Sequence, residues 1–342
     1  MRHSAQKDLN MQSIRIAAAL SHKMWCLLLV LSAASWLAVG AVAAPLPVLQ
    51  PIKVSAHAYM FRGHSGMADN ANAGFMSNAG FVVTGDGVVV FDALGTPALG
   101  EAMVRAIRGV TKQPIRRVIV SHYHADHFYG LQAFKAVGAE IWAHEQGRAY
   151  LASDTAAQRL AQRKESLKPW VDGRTRLLPA DRWLAFPGGR PIAFEMGGLH
   201  FQVIDTSGAH APDDIMLAVD EDRLLFAGDL FFTGRLPFVG DADSRVWLGA
   251  LERMLALAPA VVVPGHGDVS RNPGKDLALT RSYLIFLRKV MGEAVAELAT
   301  FDEAYAKVDW SAYAGYPAFA QANRINAYGT FLLMERESLQ QK

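Results

Sequence analysis

Cysteine is all but missing from this chain: Cys26 is the only one in 342 residues. It lies in an apolar amino-terminal stretch, so a chain trimmed of that stretch has no thiol. A disulfide framework and a cysteine nucleophile are thereby excluded for the mature protein, and no lipobox precedes Cys26 to make it a lipid anchor. Internal repeats and low-complexity segments are absent as well, which excludes solenoid and tail-like architectures. Charge of one sign is not in excess either, since 34 Lys and Arg stand against 32 Asp and Glu. Taking away Arg2, Lys7, Arg15, Lys23 and Asp8 with residues 1–44 leaves 30 basic and 31 acidic residues, formally −1. The small positive balance of the whole chain thus belongs to its amino terminus, and nothing marks a nucleic-acid surface.

A long apolar run is the next thing lacking. The uncharged stretch from Met24 to Val39 is short against the roughly 20 residues that a membrane span needs. It follows a basic region and precedes Ala41-Val42-Ala43-Ala44-Pro45. Together these describe a secretory signal peptide over residues 1–44, cut after Ala43 or Ala44. A start at Met11 shortens its basic region, and an uncleaved anchor is the alternative. The expectation is a periplasmic or secreted protein with no stable membrane insertion after cleavage. With 51% hydrophobic residues, the remainder can bury a large core. We expect a main domain over 45–270 and a helical extension over 271–342 packed on it.

Short β-branched runs ended by Gly and Pro alternate with helical periodicity. Phe81-Val82-Val83 and Val88-Val89-Val90-Phe91 flank Gly85-Asp86-Gly87 as a hairpin, and Leu217 to Val219 with Leu224 to Phe226 form another. Leu99, Met103, Ile107 and Val110 mark one helical face. A helix is expected from Phe128 to Val137, a short strand at Ile141-Trp142, and helix over 146–168 up to Pro169. Beyond Gly274, the residues Leu277, Leu284, Leu287, Met291, Val295 and Leu298 recur on one face. Strands alternating with helices favour α/β layering.

The densest chemistry is His122-Tyr123-His124-Ala125-Asp126-His127, which follows the apolar run Val118-Ile119-Val120. Imidazole and carboxylate are ligands for Zn²⁺ and its first-row neighbours. In extended chain, His122 and His124 point the same way and can chelate one ion, while Asp126 and His127 face a second. Three further candidates each follow an apolar run: His210 in Gly208-Ala209-His210, Asp229 in Ala227-Gly228-Asp229, and His266 in Pro264-Gly265-His266-Gly267. Every candidate ligand is therefore expected at a strand end, facing one cleft. Asp92, closing Val89-Val90-Phe91-Asp92, either orients a ligand histidine or caps nearby backbone.

The other candidates weigh less. His57 and His64 lie in the amino-terminal region, and His64 is placed to approach the cleft. His144 and His200 read as solvated loop or edge residues. Tyr123, Phe128, Tyr129, Phe231 and Phe232 suit an apolar cleft wall or the core equally. Arg235 suits an anionic substrate or a solvated surface. The carboxy-terminal helices read as an amphipathic layer, or else as a wall of the cleft.

The five motifs, in the order Asp92, His122-x-His124-x-Asp126-His127, His210, Asp229 and His266, resemble those of the metallo-β-lactamase-fold metallohydrolases over roughly Ile52 to Val269. Within that superfamily the chain looks like secreted glyoxalase II-like hydrolases and those linked to quinoprotein and sulfur oxidation. The resemblance implies a four-layer αββα sandwich with a C-terminal helical extension and a dinuclear cleft. His122, His124 and His210 would hold one Zn²⁺, Asp126, His127 and His266 a second, with Asp229 between them; iron or manganese could replace zinc. It further implies hydrolysis of an ester, thioester or lactone in a small-molecule substrate, with Asp126 as proton carrier. Zinc β-lactamases, which generally carry another residue in place of Asp229, are one alternative. Mononuclear iron persulfide dioxygenases, which leave the second site incomplete, are another, and a degenerate binding protein is a third. Asp213 stands where relatives often have Gly, which leaves the placement of His210 open. Nothing here speaks to oligomeric state.

Overall fold

Val88 and Val90 face one side of their strand while Val89 and Phe91 face the other, and that alternation sets the order of layers. A computed structural model describes residues 45–340; the expected signal peptide, residues 1–44, lies outside the described residues. The first half of the chain runs β1 (Ile52–Lys53), β2 (Ala58–Phe61), β3 (Ala79–Val83), β4 (Val88–Phe91), α1 (Pro97–Val110), β5 (Ile115–Ile119), α2 (Ala125–Phe128), α3 (Leu131–Ala136), β6 (Glu140–His144), α4 (Gly147–Leu151), α5 (Asp154–Ser166) and β7 (Arg182–Leu184). The second half runs β8 (Ile192–Met196), β9 (Leu199–Asp205), β10 (Ile215–Val219), β11 (Leu224–Phe232), α6 (Ser244–Ala256), β12 (Val261–His266), α7 (Pro273–Asp276), α8 (Ala278–Ala296), α9 (Phe301–Lys307) and α10 (Phe319–Gln340).

Two sheets result, one of seven strands in sequence order and one of five in the order β12-β11-β10-β9-β8. Both expected hairpins form, with Val83 opposite Val88 and Leu217 opposite Phe226. The parallel pairs β4–β5 and β5–β6 need crossovers, which α1 and α2–α3 supply. Val88, Val90 and Val118 pack beneath Leu99, Met103 and Ile107 of α1 and Phe134 of α3. Val89, Phe91 and Ile119 instead meet Phe201, Leu217, Phe226 and Val263 between the sheets, where Phe91 and Phe226 stack at 5.4 Å. Leu225 and Val262 point outward to Trp247 of α6 and Leu284 and Leu287 of α8. Helix, sheet, sheet and helix therefore stack as expected. Each fully buried large apolar side chain contributes roughly 1.5–3 kcal/mol.

Three expectations are corrected. The helix expected from Phe128 to Val137 is two helices, α2 and α3, parted at Tyr129-Gly130. There α1 and the chain leading into it come so close that a Cβ on Gly130 would lie 3.0 Å from Gly100 Cα of α1 and 1.9 Å from the Ala93 carbonyl oxygen. Val110 ends α1 on the surface, and Leu298, 91% exposed, lies beyond the end of α8. In both cases the apolar stripe runs to the helix terminus, where no partner element continues.

The carboxy-terminal helices form the amphipathic layer and also fix the chain that leaves β11. Thr280 of α8 bonds both the amide and the carbonyl of Phe232 at 3.2 Å. Asn326 of α10 accepts from Val239 N (2.8 Å) and Gly240 N (3.1 Å) and donates to Pro237 O (2.8 Å). Asn326 is fully buried, so truncation strands three backbone groups away from water. Asn326→Ala is expected to cost about 2–5 kcal/mol, measured as a lower urea midpoint with an unchanged slope.

Candidate metal centre

Beyond Ile119 the chain leaves β5 extended, and His124 keeps that conformation (φ −86°, ψ 144°) as the residue that caps α2. His122 and His124 thus precede the helix, while Asp126 and His127 lie within it. His210 sits in the loop after β9. Its position is set by two aspartates: Asp214 accepts from Ala211 N at 2.6 Å, and Asp213 accepts from Tyr123 N at 3.0 Å. The residue that stands in place of Gly therefore ties the His210 loop to the histidine motif. Asp229 corrects the strand-end expectation, because β11 runs on to Phe232 and Asp229 lies inside it, after a register shift at Gly228. His266 is the last residue of β12. A Cβ at Gly265 would fall 2.0 Å from Asp229 Oδ1, so only glycine lets β12 pass beside that carboxylate.

All seven candidate residues converge in two groups: His122, His124, His210 and Asp229 in one, and Asp126, His127 and His266 in the other. Within each group the potential ligand atoms lie no more than 4.8 Å apart. Asp229 faces both groups. Its Oδ2 is 3.5 Å from His210 Nε2 and 3.3 Å from His266 Nε2, and its Oδ1 is 3.2 Å from His127 Nε2. Asp126 Oδ2 lies 3.4 Å from His266 Nε2 and 3.6 Å from His127 Nε2. His122 Nε2, His127 Nε2, Asp126 Oδ2 and Asp229 Oδ1 are buried without a hydrogen-bond partner. Each such atom costs roughly 1–3 kcal/mol if left unanswered. Lone pairs and carboxylate oxygens converging on one point are what a divalent cation satisfies, so the residues fit a metal centre.

In His122, His127 and His266 the outer ring nitrogen, Nδ1, is held so that Nε2 turns inward. His127 Nδ1 donates to Asp92 Oδ2 at 2.8 Å, and His266 Nδ1 donates to Met76 O at 2.7 Å. Ser121 Oγ donates to Asp92 Oδ2 (2.9 Å) and so accepts from His122 Nδ1 (2.9 Å). Asp92 is therefore the orienting group rather than a simple backbone cap, although its Oδ1 also accepts from Ser121 N at 2.7 Å. Arg235 Nη1 also reaches His266 Nδ1 at 3.1 Å, but the shorter contact to Met76 O fixes the tautomer. Arg235 is 1% exposed, which corrects the solvated reading.

Of the remaining histidines among the described residues, none joins either group. His57 pairs with Asp222 at 2.8 Å, while His64 and His200 are exposed. His144 is buried, with its ring stacked on Phe186 at 5.3 Å, which corrects the expectation that it is solvated. Tyr123, Phe128, Tyr129, Phe231 and Phe232 are all core by burial, and Phe232 backs His266 in a parallel stack at 5.1 Å. Sequence reasoning missed Ser121, Met76 and Trp247. The Trp247 ring stands 5.1 Å from His210 and its Nε1 donates to Leu230 O at 2.9 Å. No motif announces a tryptophan that arrives from α6.

Electrostatics divide the histidines. Burial, followed by the neighbouring His127 and His124, holds His122 well below its usual range. Burial likewise pushes His210 down to about 3. His127 goes the other way: burial opposes its charge, but Asp229, Asp126 and Asp92 together raise it well above the usual range. Burial works against ionised Asp229, yet His266 and His127 outweigh it and hold the carboxyl well below its usual range. The three carboxylates thus favour the protonated form of His127, and a cation bound at its Nε2 would displace that proton. Metal uptake should release protons and tighten as pH rises towards the raised His127 range, a trend read by calorimetry in buffers of different ionisation enthalpy. Asp92→Asn should weaken metal binding about 10–100-fold, measured by competition with a chromophoric chelator.

A sequence profile of the metallo-beta-lactamase superfamily matches residues 72–266, more than half of the chain. The alpha subunit of a 2,4-dinitroanisole O-demethylase from Nocardioides sp. (strain JS1661) is 27% identical over 188 residues, 54% of this chain and 51% of that protein. A linear primary-alkylsulfatase from Pseudomonas sp. (strain ATCC 19151) is 23% identical over 280 residues, 72% of this chain and 52% of that one. The chain thus spans about half the length of these two relatives. A type 2 metallo-beta-lactamase from Elizabethkingia meningoseptica is 26% identical over 202 residues, covering 57% of this chain and 70% of that enzyme. Among solved structures, a metallo-beta-lactamase from Pontibacter korlensis aligns with a TM-score of 0.54 and 22% identity, over 69% of this chain and 98% of the other. A sec-alkylsulfatase from Pseudomonas sp. aligns with a TM-score of 0.63 and 19% identity, over 83% and 50%. With the profile match added to the layered sheets and the ligand groups, the chain belongs to the metallo-beta-lactamase superfamily of metal-dependent hydrolases.

Proposed function

We propose that the protein is a secreted dinuclear zinc hydrolase that opens an ester, thioester or lactone. The observation that carries the dinuclear reading is the Asp229 carboxylate, which faces His210 on one side and His127 and His266 on the other. His122, His124 and His210 would hold the first cation, and Asp126, His127 and His266 the second. When bound, the cations supply Lewis acidity towards a carbonyl and a water acidic enough to ionise near neutral pH. The chain's own contribution is then placement. Ser121, Asp92 and Met76 keep the imidazole lone pairs turned inward. Asp126, with 8% of its surface exposed, reaches the cleft and is placed to take a proton from the attacking water and return it to the leaving group. The mature chain needs no thiol for this chemistry.

A thioesterase from Aspergillus fumigatus, 25% identical over 178 residues, supports the ester-type reading. The zinc β-lactamase reading has its own support in the relative from Elizabethkingia meningoseptica, but Asp229 stands where those enzymes generally carry another residue. Secretion rests on the basic, apolar and small-residue pattern of residues 1–44.

Metal analysis of the mature protein, with a panel of ester, thioester, lactone and β-lactam substrates, tests the proposal. Two equivalents of zinc are expected, with turnover of an ester-type substrate that chelation abolishes. Asp126→Asn should lower kcat by roughly 10²–10⁴-fold with metal retained. Turnover of nitrocefin alone, or a single iron with oxygen consumed on a persulfide, would overturn it.

A further inference from the structure

Arg235 is the one arginine fully buried among the described residues, and it lies in the stretch that leaves β11. A guanidinium carries five N–H donors and a charge, so its burial ordinarily comes with a carboxylate. Exposed Arg174 and half-buried Arg288 each hold a carboxylate at 2.8 Å, whereas Arg235 forms no ion pair among the described residues. Its donors meet weaker groups instead. Nη1 lies 3.4 Å from Gly66 O, Nη2 lies 3.7 Å from Met67 Sδ, and Nε is buried with no partner. The remaining contact is to a candidate ligand, from Nη1 to His266 Nδ1 at 3.1 Å.

That contact opposes a cation whichever ring nitrogen bears the hydrogen. With the hydrogen on Nδ1, as the 2.7 Å bond to Met76 O requires, guanidinium and imidazole present donors to each other. The buried charge then acts across the ring on Nε2, the lone pair that faces the ligand group, and weakens its hold on a second positive charge. With the hydrogen on Nε2 instead, Arg235 would donate to Nδ1, and a cation would have to undo that arrangement before binding. Both cases favour the imidazole without metal. The other ligand histidines are backed differently. Asp92 stands behind His127 at 2.8 Å and, through Ser121, behind His122, and an acceptor in that place makes a ligand nitrogen more basic. Among the described ligand histidines only His266 has a guanidinium against its ring nitrogen. We propose that Arg235 lowers the cation affinity of the Asp126, His127 and His266 group. The first cation is then resident, while the second exchanges and its occupancy follows the supply of metal. The proposal rests on the two-cation reading above and adds the regulation of that site. Arg235 acts through His266, as a tuning residue rather than a catalytic one.

The test titrates zinc into the chelator-stripped mature chain against a chromophoric chelator, for wild type, Arg235→Gln, Arg235→Met and Arg235→Lys. Wild type should bind the second zinc about tenfold or more weakly than the first. Gln and Met remove the charge and should tighten the second step about 10–100-fold, the scale on which groups behind a ligand histidine tune affinity, with the first step unchanged. Lys keeps the charge and loses the planar fork, so its second step should stay as weak as in wild type. A merely structural role, in which Arg235 only ties Gly66 and Met67 to His266, predicts the reverse: weaker binding in all three variants. The wild-type measurement stands whether or not the variants fold, and equal affinity for both zinc ions overturns the proposal by itself. An unchanged or weaker second step in folded Gln and Met variants overturns it while leaving the two-cation reading intact. A single zinc in every protein, wild type included, defeats both together.

Discussion

The Asp92 carboxylate is the point on which the site's geometry turns. It sits just past the end of β4 in a left-handed conformation (φ 63°) and is almost wholly buried. Burial raises its carboxyl above the usual range, and His127 and Ser121 counteract that. Three groups converge on it: Ser121 N, Ser121 Oγ and His127 Nδ1. Through Ser121 it governs His122, and directly it governs His127, so one carboxylate orients a residue in each ligand group. A non-glycine residue held at positive φ stores of order 1 kcal/mol or more, and here it accompanies a carboxylate that reaches Ser121 and His127 of the histidine motif.

Much of this was legible in the sequence because the signals were local. Six residues contain His122, His124, Asp126 and His127, and strand alternation at Val88 to Phe91 fixed the layer each side chain enters. What escaped was non-local. That Asp229 lies within a strand depends on β11 pairing with β12 beyond Gly228, which no single run reveals. His144 looked like a loop residue because its cover, Phe186, lies far along the chain. The break at Tyr129-Gly130 comes from the crossing of α1, not from poor helix propensity in Phe128 to Val137. Arg235 was equally illegible, since burial of an arginine is decided by loops that carry no periodicity.

The helical extension changes meaning once its contacts are known. Composition presents α8 and α10 as cover for apolar surface, and they do cover Leu225 and Val262. Their polar residues do something else. Thr280 and Asn326 bond backbone at Phe232, Pro237, Val239 and Gly240, the stretch that leaves the strand holding Asp229. A buried polar network is stable only when every member is satisfied, and so the extension fixes the course of this chain more narrowly than apolar packing would.

The distribution of ligands between the sheets has a mechanical consequence. Each group draws on both: His122, His124, Asp126 and His127 follow β5 of the first sheet, while Asp229 and His266 lie in strands of the second and His210 in the loop between two of its strands. A cation held by either group would be a rivet across the sandwich. The distance it must span is set by the apolar layer in which Phe91 stacks on Phe226, so that layer acts as a gauge block. Side chains remote from the ligand groups thereby set the spacing at which those groups meet, and the interior is answerable to coordination chemistry as well as to stability.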